Sequence, residues 1–378
     1  MKTSVTLTGG QVLGPDGDLS AIDVYIAEGQ IVESPAVASE HIDCARYHVL
    51  PGIVDVHGDA FELELHPRPG VDIGFPIAMG SVDRQLAANG ITTAFHGLTA
   101  SWEPGARSLS AARCFMDNLQ TLRPRLIADH RVQLRWETFA HDAIHDVAGW
   151  LTHNPTPAIA FNDHTTSTLE TVKSGDTTKL EQWARKAGVT LDQYLAEIDA
   201  IERLTPEVPE KIRTVAELAR RHSAIMLAHD EGTVSERAAH REMGMRISEF
   251  PLSPEVAADA TSNGEHVVMG GPNAIRGGSQ KGSLSAEDAI RDNLCTILAS
   301  DYYYPSLFHG AERLVNRGVK SLEGAWGLVS QNPATAMGLH DRGTIEVGRR
   351  ADIVVIDTSG PWRLVHVIAG GVLVSFGR

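Results

Sequence analysis

Between residues 53 and 301 the chain alternates short apolar runs of β type with helical stretches, the pattern of a parallel βα architecture. The runs are Ile53 to His57, Ile91 to Leu98, Val132 to Glu137 and Ala158 to His164, followed by Ala224 to His229, Ile247 to Phe250, Val267 to Gly270 and Ile297 to Asp301. Eight parallel strands with intervening helices are what a (β/α)8 barrel of the TIM type requires, and 378 residues suffice for one such barrel with an added small domain. The longest interruption is the polar stretch from Ser167 to Arg221, in which Leu180 to Ala187, Leu191 to Leu204 and Pro209 to Arg221 each read as helix. It is expected to be an insertion on the catalytic side of the barrel or an extended helical layer.

The two ends of the chain look alike and unlike the middle. Ser4 to Thr8 and Asp23 to Ala27 read as strands, with Glu28-Gly29 as a turn signal. Ala351 to Asp357 is a third, and Val365 to Ser375 reads as a hairpin around Gly370-Gly371. The expectation is one small β-sandwich built from residues 1–48 and 342–378, flanking a barrel over residues 49–341.

Composition narrows the function. A net charge of -15 disfavours nucleic acid or an anionic membrane as the main partner. A small anionic substrate is still compatible, because a pocket can be basic inside an acidic protein. No apolar run approaches the length of a membrane span, and the first ten residues alternate like a strand rather than forming a signal core. The cysteines, Cys44, Cys114 and Cys295, are odd in number and far apart, which fits a reducing compartment and gives the cytoplasm as the expected location. A homo-oligomer is compatible with all of this.

The chemistry-bearing residues fall at the ends of the runs, where barrel enzymes keep their active sites. The first run, Leu50-Pro51-Gly52-Ile53-Val54-Asp55-Val56, delivers His57 and Asp59. Residues two apart on a strand share a side, so both can reach one ion. The third run ends in Glu137, the fourth in Asn162-Asp163-His164, the fifth in His229-Asp230-Glu231 and the eighth in Asp301. Imidazole and carboxylate are the donors expected for zinc or a similar divalent ion. Two ions per chain are expected, with Glu137 as the candidate bridge. Each residue has a plainer reading: a hydrogen-bonded structural histidine for His164 or His229, an ion pair with Arg135 or Arg131 for Glu137, a helix cap for Asp301. Five such groups at five strand ends make the metal site the better explanation.

The ordered set of His-x-Asp, strand-five His and strand-eight Asp resembles the amidohydrolase superfamily. Within it the chain resembles the ribose methylphosphonate triphosphate diphosphatases of the carbon–phosphorus lyase pathway. The resemblance runs through Leu50 to Asp59, Pro67-Arg68-Pro69-Gly70-Val71, Gly90-Ile91-Thr92-Thr93, Leu134-Arg135-Trp136-Glu137, Asp163-His164 and Ala228-His229-Asp230. It continues through Val268 to Ser279, Leu298-Ala299-Ser300-Asp301-Tyr302-Tyr303 and Asn332-Pro333-Ala334. Most amidohydrolases carry His-x-His on strand one and many bridge their ions with a carboxylated lysine. Here Asp59 replaces the second histidine, and the resemblance implies a glutamate, Glu137, as the bridge. It implies His57, Asp59, Glu137 and Asp301 around one ion and Glu137, His164 and His229 around the other, with Asp301 also the catalytic acid/base. Asp163, Asp230 and Glu231 are candidates to orient the histidines.

The chain also departs from that group. After Asp163-His164 it reads Thr165-Thr166-Ser167-Thr168-Leu169-Glu170, where the group resembles Ser-Pro-Gly-Gln-Arg-Gln. The strand-one loop reads His57-Gly58-Asp59-Ala60 rather than His-Thr-Asp-Asn. Candidate phosphate contacts are Arg276, Gly277, Gly278 and Ser279 just past strand seven, with Lys281 and Arg68 adding charge. The expected activity is cleavage of a ribose triphosphate with release of pyrophosphate. The alternative keeps the site and changes the bond: C–N hydrolysis in a cyclic or N-acyl compound.

Overall fold

A computed structural model describes residues 4–36, 38–68, 70–277 and 284–376. Its centre is an eight-stranded parallel sheet. The strands, numbered in chain order, are β1 (Ile53–Gly58), β2 (Ile91–Ala100), β3 (Asp129–Glu137) and β4 (Ala158–Asn162), then β5 (Met226–His229), β6 (Ile247–Glu249), β7 (His266–Gly270) and β8 (Ile297–Ala299). Each pairs in parallel with the next. All eight expected strands are present, with ends shifted by a few residues. Helices cover the outer face, as a TIM barrel requires.

Both faces of this sheet are buried, and the side-chain period of two sorts them. On β4, Ala158 and Ala160 belong to one apolar cluster, while Ile159 and Phe161 belong to another that includes Leu86, Met116 and Val215 of the surrounding helices. On β8, Ile297 and Ala299 join the first cluster and Leu298 the second. Strands buried on both faces read as continuous apolar runs, which is why they were visible in the sequence.

The seam between β8 and β1 closes beside the candidate site. Gly58 bridges Asp301 in parallel. The Asp301 N–H donates to the His57 carbonyl and the Asp59 N–H to the Asp301 carbonyl, both at 2.9 Å. Asp55 ties the seam from within: its fully buried carboxylate accepts from the Ser300 hydroxyl at 2.5 Å, the Ser300 N–H at 3.0 Å and the His57 N–H at 3.2 Å. Gly58 is required here by close approach, since a Cβ would lie 2.7 Å from Asp55 Oδ2 and 2.8 Å from Ser300 Oγ. The Gly58 departure noted above is therefore built into this seam. Asp55→Ala leaves two buried N–H groups without an acceptor, at about 1–3 kcal/mol each. The expected result is a loss of roughly 3 kcal/mol of stability, read as a lower urea midpoint at unchanged m-value. A loss under about 0.5 kcal/mol would show that the seam does not depend on this carboxylate.

The chain termini form two further sheets. One has the order Gln30–Val32, Val24–Ala27, Val5–Thr8, Glu40–Asp43. The other runs Val372–Ser375, Arg363–Ala369, Ile353–Asp357, His48–Pro51, Gln11–Leu13, Leu19–Ala21. Val5, Leu7, Val24 and Ile26 of the first share one buried cluster with Val12, Val49, Ile353, Val355 and Ile368 of the second. The small β domain thus draws strands from both ends of the chain. His48–Pro51 belongs to its six-stranded sheet and leads directly into β1.

Between β4 and β5 lie the helices His164–Ser174, Thr177–Ala187, Leu191–Glu202 and Val208–Arg221. Leu169, Leu180, Ala184, Tyr194 and Ile198 form their own small core with Phe139 and Val208. Val215, Ala216 and Ala219 of the last helix join the main core instead, so that helix belongs to the barrel wall and the first three make the inserted layer.

Candidate metal centre and active site

A cavity of about 260 Å³ opens at the C-terminal ends of the strands, lined by His57, Asp59, His164, His229, Asp230 and Asp301 among others. Strand geometry delivers them. His57 lies one residue before the end of β1, and His229 ends β5. Asp230 and Asp301 both take positive φ, 55° in each case, as the chain turns away from the sheet. These six residues form two groups with donor atoms within 4.8 Å of one another: His57, Asp59 and Asp301, and His164, His229 and Asp230. A third group is His57, His229 and Glu249.

Glu249, at the end of β6, was not singled out in the sequence, yet it organises the site. Its side chain is fully buried, with Oε1 3.0 Å from His57 Nδ1 and Oε2 2.7 Å from His229 Nδ1. Gln133 Nε2 donates to it at 2.5 Å. An ionised carboxylate only accepts hydrogen bonds, so each imidazole presents a proton on Nδ1 to Glu249, and in its neutral form each ring then keeps the lone pair on Nε2. This is the carboxylate–histidine arrangement that orients metal-ligating imidazoles. Burial opposes the Glu249 charge, but the His57 charge and the hydrogen bonds from His229 and His57 outweigh it and hold the carboxyl well below its usual range. At His229, burial dominates and lowers the pKa, favouring the neutral ring a ligand needs. At His57, burial acts the same way but the Glu249 charge overcomes it, raising the pKa. The two rings stack with centroids 5.9 Å apart.

The other candidates are placed as follows. Asp59 Oδ2 lies 3.6 Å from Arg135 Nη1 and 3.7 Å from Arg107 Nη2. Burial raises the Asp301 pKa, with the His57 charge acting the other way. Glu137 sits in none of the three donor groups. It faces the start of the inserted layer, accepting from the Thr165 hydroxyl at 2.7 Å, the Thr165 N–H at 3.2 Å and the His164 N–H at 3.3 Å. Its Oε2 also lies 3.5 Å from His164 Nδ1. Free N–H groups at a helix start attract a carboxylate, and this one engages two of them.

Asp163 caps the same helix, accepting from the N–H and hydroxyl of Thr166. Glu231 turns away to Arg237, His240 and Ser248. Neither bonds a site histidine. The orienting carboxylate comes instead from a strand remote in sequence, a link that no local motif announces.

Arg68 is exposed in a turn bridged to Val71, and it is not part of the cavity wall. Arg276 is exposed at the end of the helix Gly271–Arg276, and Gly277 closes that helix with φ 78°. The helix therefore presents its carbonyl end there, opposite to the N–H end expected to favour an anion. Gly278, Ser279 and Lys281 lie outside the described residues. The cations that do line the cavity among the described residues, histidines aside, are Arg107 and Arg135.

The donor chemistry fits a divalent metal: paired imidazoles oriented by a buried carboxylate, with further carboxylates converging beside them. Among the described residues no helix is long and apolar enough to cross a membrane.

The Amidohydrolase family model matches residues 84–365, beginning after the His57 and Asp59 pair. The alpha-D-ribose 1-methylphosphonate 5-triphosphate diphosphatase of Escherichia coli (strain K12) is 30% identical over 331 residues, 85% of this chain and 86% of that one. Among solved structures, the dihydropyrimidinase of Brevibacillus agri NCHU1002 has a TM-score of 0.59 at 16% identity, covering 99% of this chain and 95% of its own. The beta-aspartyl dipeptidase of Fervidobacterium islandicum AW-1 has a TM-score of 0.62 at 13% identity, covering 99% and 97%. These two share the fold. Members of the amidohydrolase superfamily typically bind divalent metal, and the donor groups above are the candidate site for it. The chain belongs to the amidohydrolase family and is a hydrolase enzyme.

Proposed function

We propose that this hydrolase cleaves a phosphorylated sugar between phosphates, as an alpha-D-ribose 1-methylphosphonate 5-triphosphate diphosphatase-like enzyme of phosphonate metabolism that releases pyrophosphate. The observation that carries the reading is a cavity combining carboxylate and imidazole donors with two arginines. The similarity to the Escherichia coli diphosphatase over most of both chains supports it.

His57, Asp59 and Asp301 are proposed to hold one zinc ion, and His164 and His229 the second. Glu137, beside the His164 ring, is the carboxylate proposed between them. Bound divalent ions supply Lewis acidity and make a water molecule acidic enough to attack at neutral pH. Asp301, in the donor group with His57 and Asp59, would serve as the acid/base that accepts a proton from the attacking water and returns one to the leaving oxygen. Glu249 keeps both histidines in register through the cycle. Asp230, 3.6 Å from His229 Nε2 and 3.8 Å from His164 Nε2, sits between those rings. Arg68, Arg276 and Gly277, exposed and outside the cavity wall, are proposed as outer contacts to the distal phosphates.

The test is a hydrolysis screen of ribose and nucleoside triphosphates beside amides and lactones, on metal-reconstituted wild type and Arg276→Ala. The expected result is turnover of a triphosphate, with kcat/KM lowered about tenfold in the variant, and indifference of any neutral substrate to the change. Turnover of amides or lactones alone would replace this reading with C–N hydrolysis.

A further inference from the structure

Among the described residues Arg135 is a buried cation without a hydrogen-bonded partner. It is 6% exposed, yet no hydrogen bond from its guanidinium exists among the described residues, and its Nε is a buried donor left over. The sole ion pair it forms there is with Asp59 at 3.6 Å, beyond hydrogen-bonding reach. A guanidinium carries five donors, and burying one without partners is costly. Arg107, its neighbour in the cavity wall, is different: its Nε and Nη2 both donate to Glu62, at 3.1 and 3.0 Å.

The surroundings make room for this charge rather than neutralise it. Gly97 on β2 flanks it, and a Cβ at that position would lie 3.3 Å from Arg135 Cδ and 3.4 Å from His57 Nε2. The arginine stem and the His57 imidazole therefore pack side by side against a strand with no side chain between them. Thr99, in register with Arg135 on β2, has a buried hydroxyl that is likewise without a partner among the described residues. On β3, Gln133 and Glu137 flank Arg135 at two-residue spacing, but Gln133 is committed to Glu249 and Glu137 to the inserted helix. A planar fork of donors in a cavity wall, beside a candidate metal ligand, matches an oxyanion.

We propose that Arg135 binds an oxyanion of the substrate at the floor of the cavity, next to His57 and Asp59. Under the diphosphatase reading, on which the identity of the oxyanion rests, it is a phosphoryl oxygen close to the bond that is cleaved. This subsite is distinct from the outer contacts proposed at Arg276.

The test is calorimetric titration of the metal-loaded protein with inorganic phosphate, pyrophosphate and acetate. Wild type is compared with Arg135→Met and Arg135→Lys, with metal content and thermal melting recorded for each. The expected result is a ten- to hundredfold weaker phosphate and pyrophosphate affinity in Arg135→Met at unchanged metal content, partly restored in Arg135→Lys. Acetate showing the same dependence in place of phosphate supports the subsite and assigns it to a carboxylate. Equal phosphate affinity in wild type and Arg135→Met overturns the proposal. So does a loss that merely follows lost metal, since it would make Arg135 a support for Asp59. If Arg135→Met does not fold, a wild-type crystal soaked in phosphate decides: an oxyanion within hydrogen-bonding distance of the guanidinium is expected, and one bound only elsewhere overturns it. Because the readout is binding, the two readings fail separately. Arg135-dependent phosphate affinity without triphosphate turnover removes only the diphosphatase reading. Triphosphate turnover with Arg135-independent affinity removes only this one.

Discussion

Asp301→Asn is expected to abolish nearly all turnover while leaving the fold and most of the bound metal in place. Asp301 follows β8, takes φ 55° and faces His57 and Asp59 across the seam. Its backbone, not its side chain, holds β8 to β1, through the N–H to the His57 carbonyl and the carbonyl to the Asp59 N–H. The amide substitution keeps that backbone pairing and the side-chain volume. What it removes is a carboxylate able to take and return a proton. Burial raises the Asp301 pKa, with the His57 charge acting the other way. Positioned proton transfer is typically worth ~10²–10⁴-fold, so the fall in kcat should lie in that range. Single-turnover rates on metal-reconstituted protein give the measurement. A rate within tenfold of wild type would assign the proton transfer to another group.

Glu249→Ala should have the larger effect on metal. One carboxylate accepts from Nδ1 of both His57 and His229, so a single substitution releases two imidazoles at once. Losing the partner of one ligating histidine typically costs 10–100-fold in metal affinity or activity. With two rings freed, the expected weakening is roughly 10²–10³-fold, measured by competition against a chromophoric chelator. Gln133 also loses its acceptor, which adds a stability cost of about 1–3 kcal/mol. Glu249→Gln should be intermediate, because an amide has one acceptor oxygen where the carboxylate has two. An affinity for metal within threefold of wild type in Glu249→Ala would mean that the histidines are held by something other than this carboxylate.

The contrast between these two residues shows how far local pattern reaches. Asp301 was legible because it follows an apolar run, and in a parallel barrel the residue after a strand stands at the catalytic face. His57, Asp59 and His229 were legible for the same reason. Glu249 also ends a strand, Ile247-Ser248-Glu249, but the run read from the sequence extends to Phe250, so the carboxylate fell inside an apolar run rather than where one stops. Its importance lies in reaching His57, 192 positions away, and His229, 20 away. Arg135 was visible only as a possible partner for Glu137. Strand alternation puts the two on one face, yet their side chains part company. Arg135 turns toward Asp59 and Glu137 toward the helix that begins at His164.

By itself the sequence determined the barrel, the pairing of chain ends in a small β domain, and the donor-bearing strand ends. Each of these is written in short-range pattern: runs buried on both faces, alternation of period two, and polar residues where an apolar run stops. Tertiary structure decided the rest. It chose Glu249 over Asp163 and Glu231 as the partner of the histidines: Glu249 ends β6, the strand paired with β5, and its carboxylate reaches both rings, while Asp163 caps a helix and Glu231 is taken by Arg237. It drew Glu137 to the helix start, where unpaired N–H groups compete for a carboxylate. It demanded glycine at position 58, where the Asp55–Ser300 tie closes the seam. And it left Arg135 buried without a hydrogen bond to any of the described residues. Side-chain partners are chosen by which strands become neighbours and by what each group has already bonded, and neither is a property of any short stretch of chain.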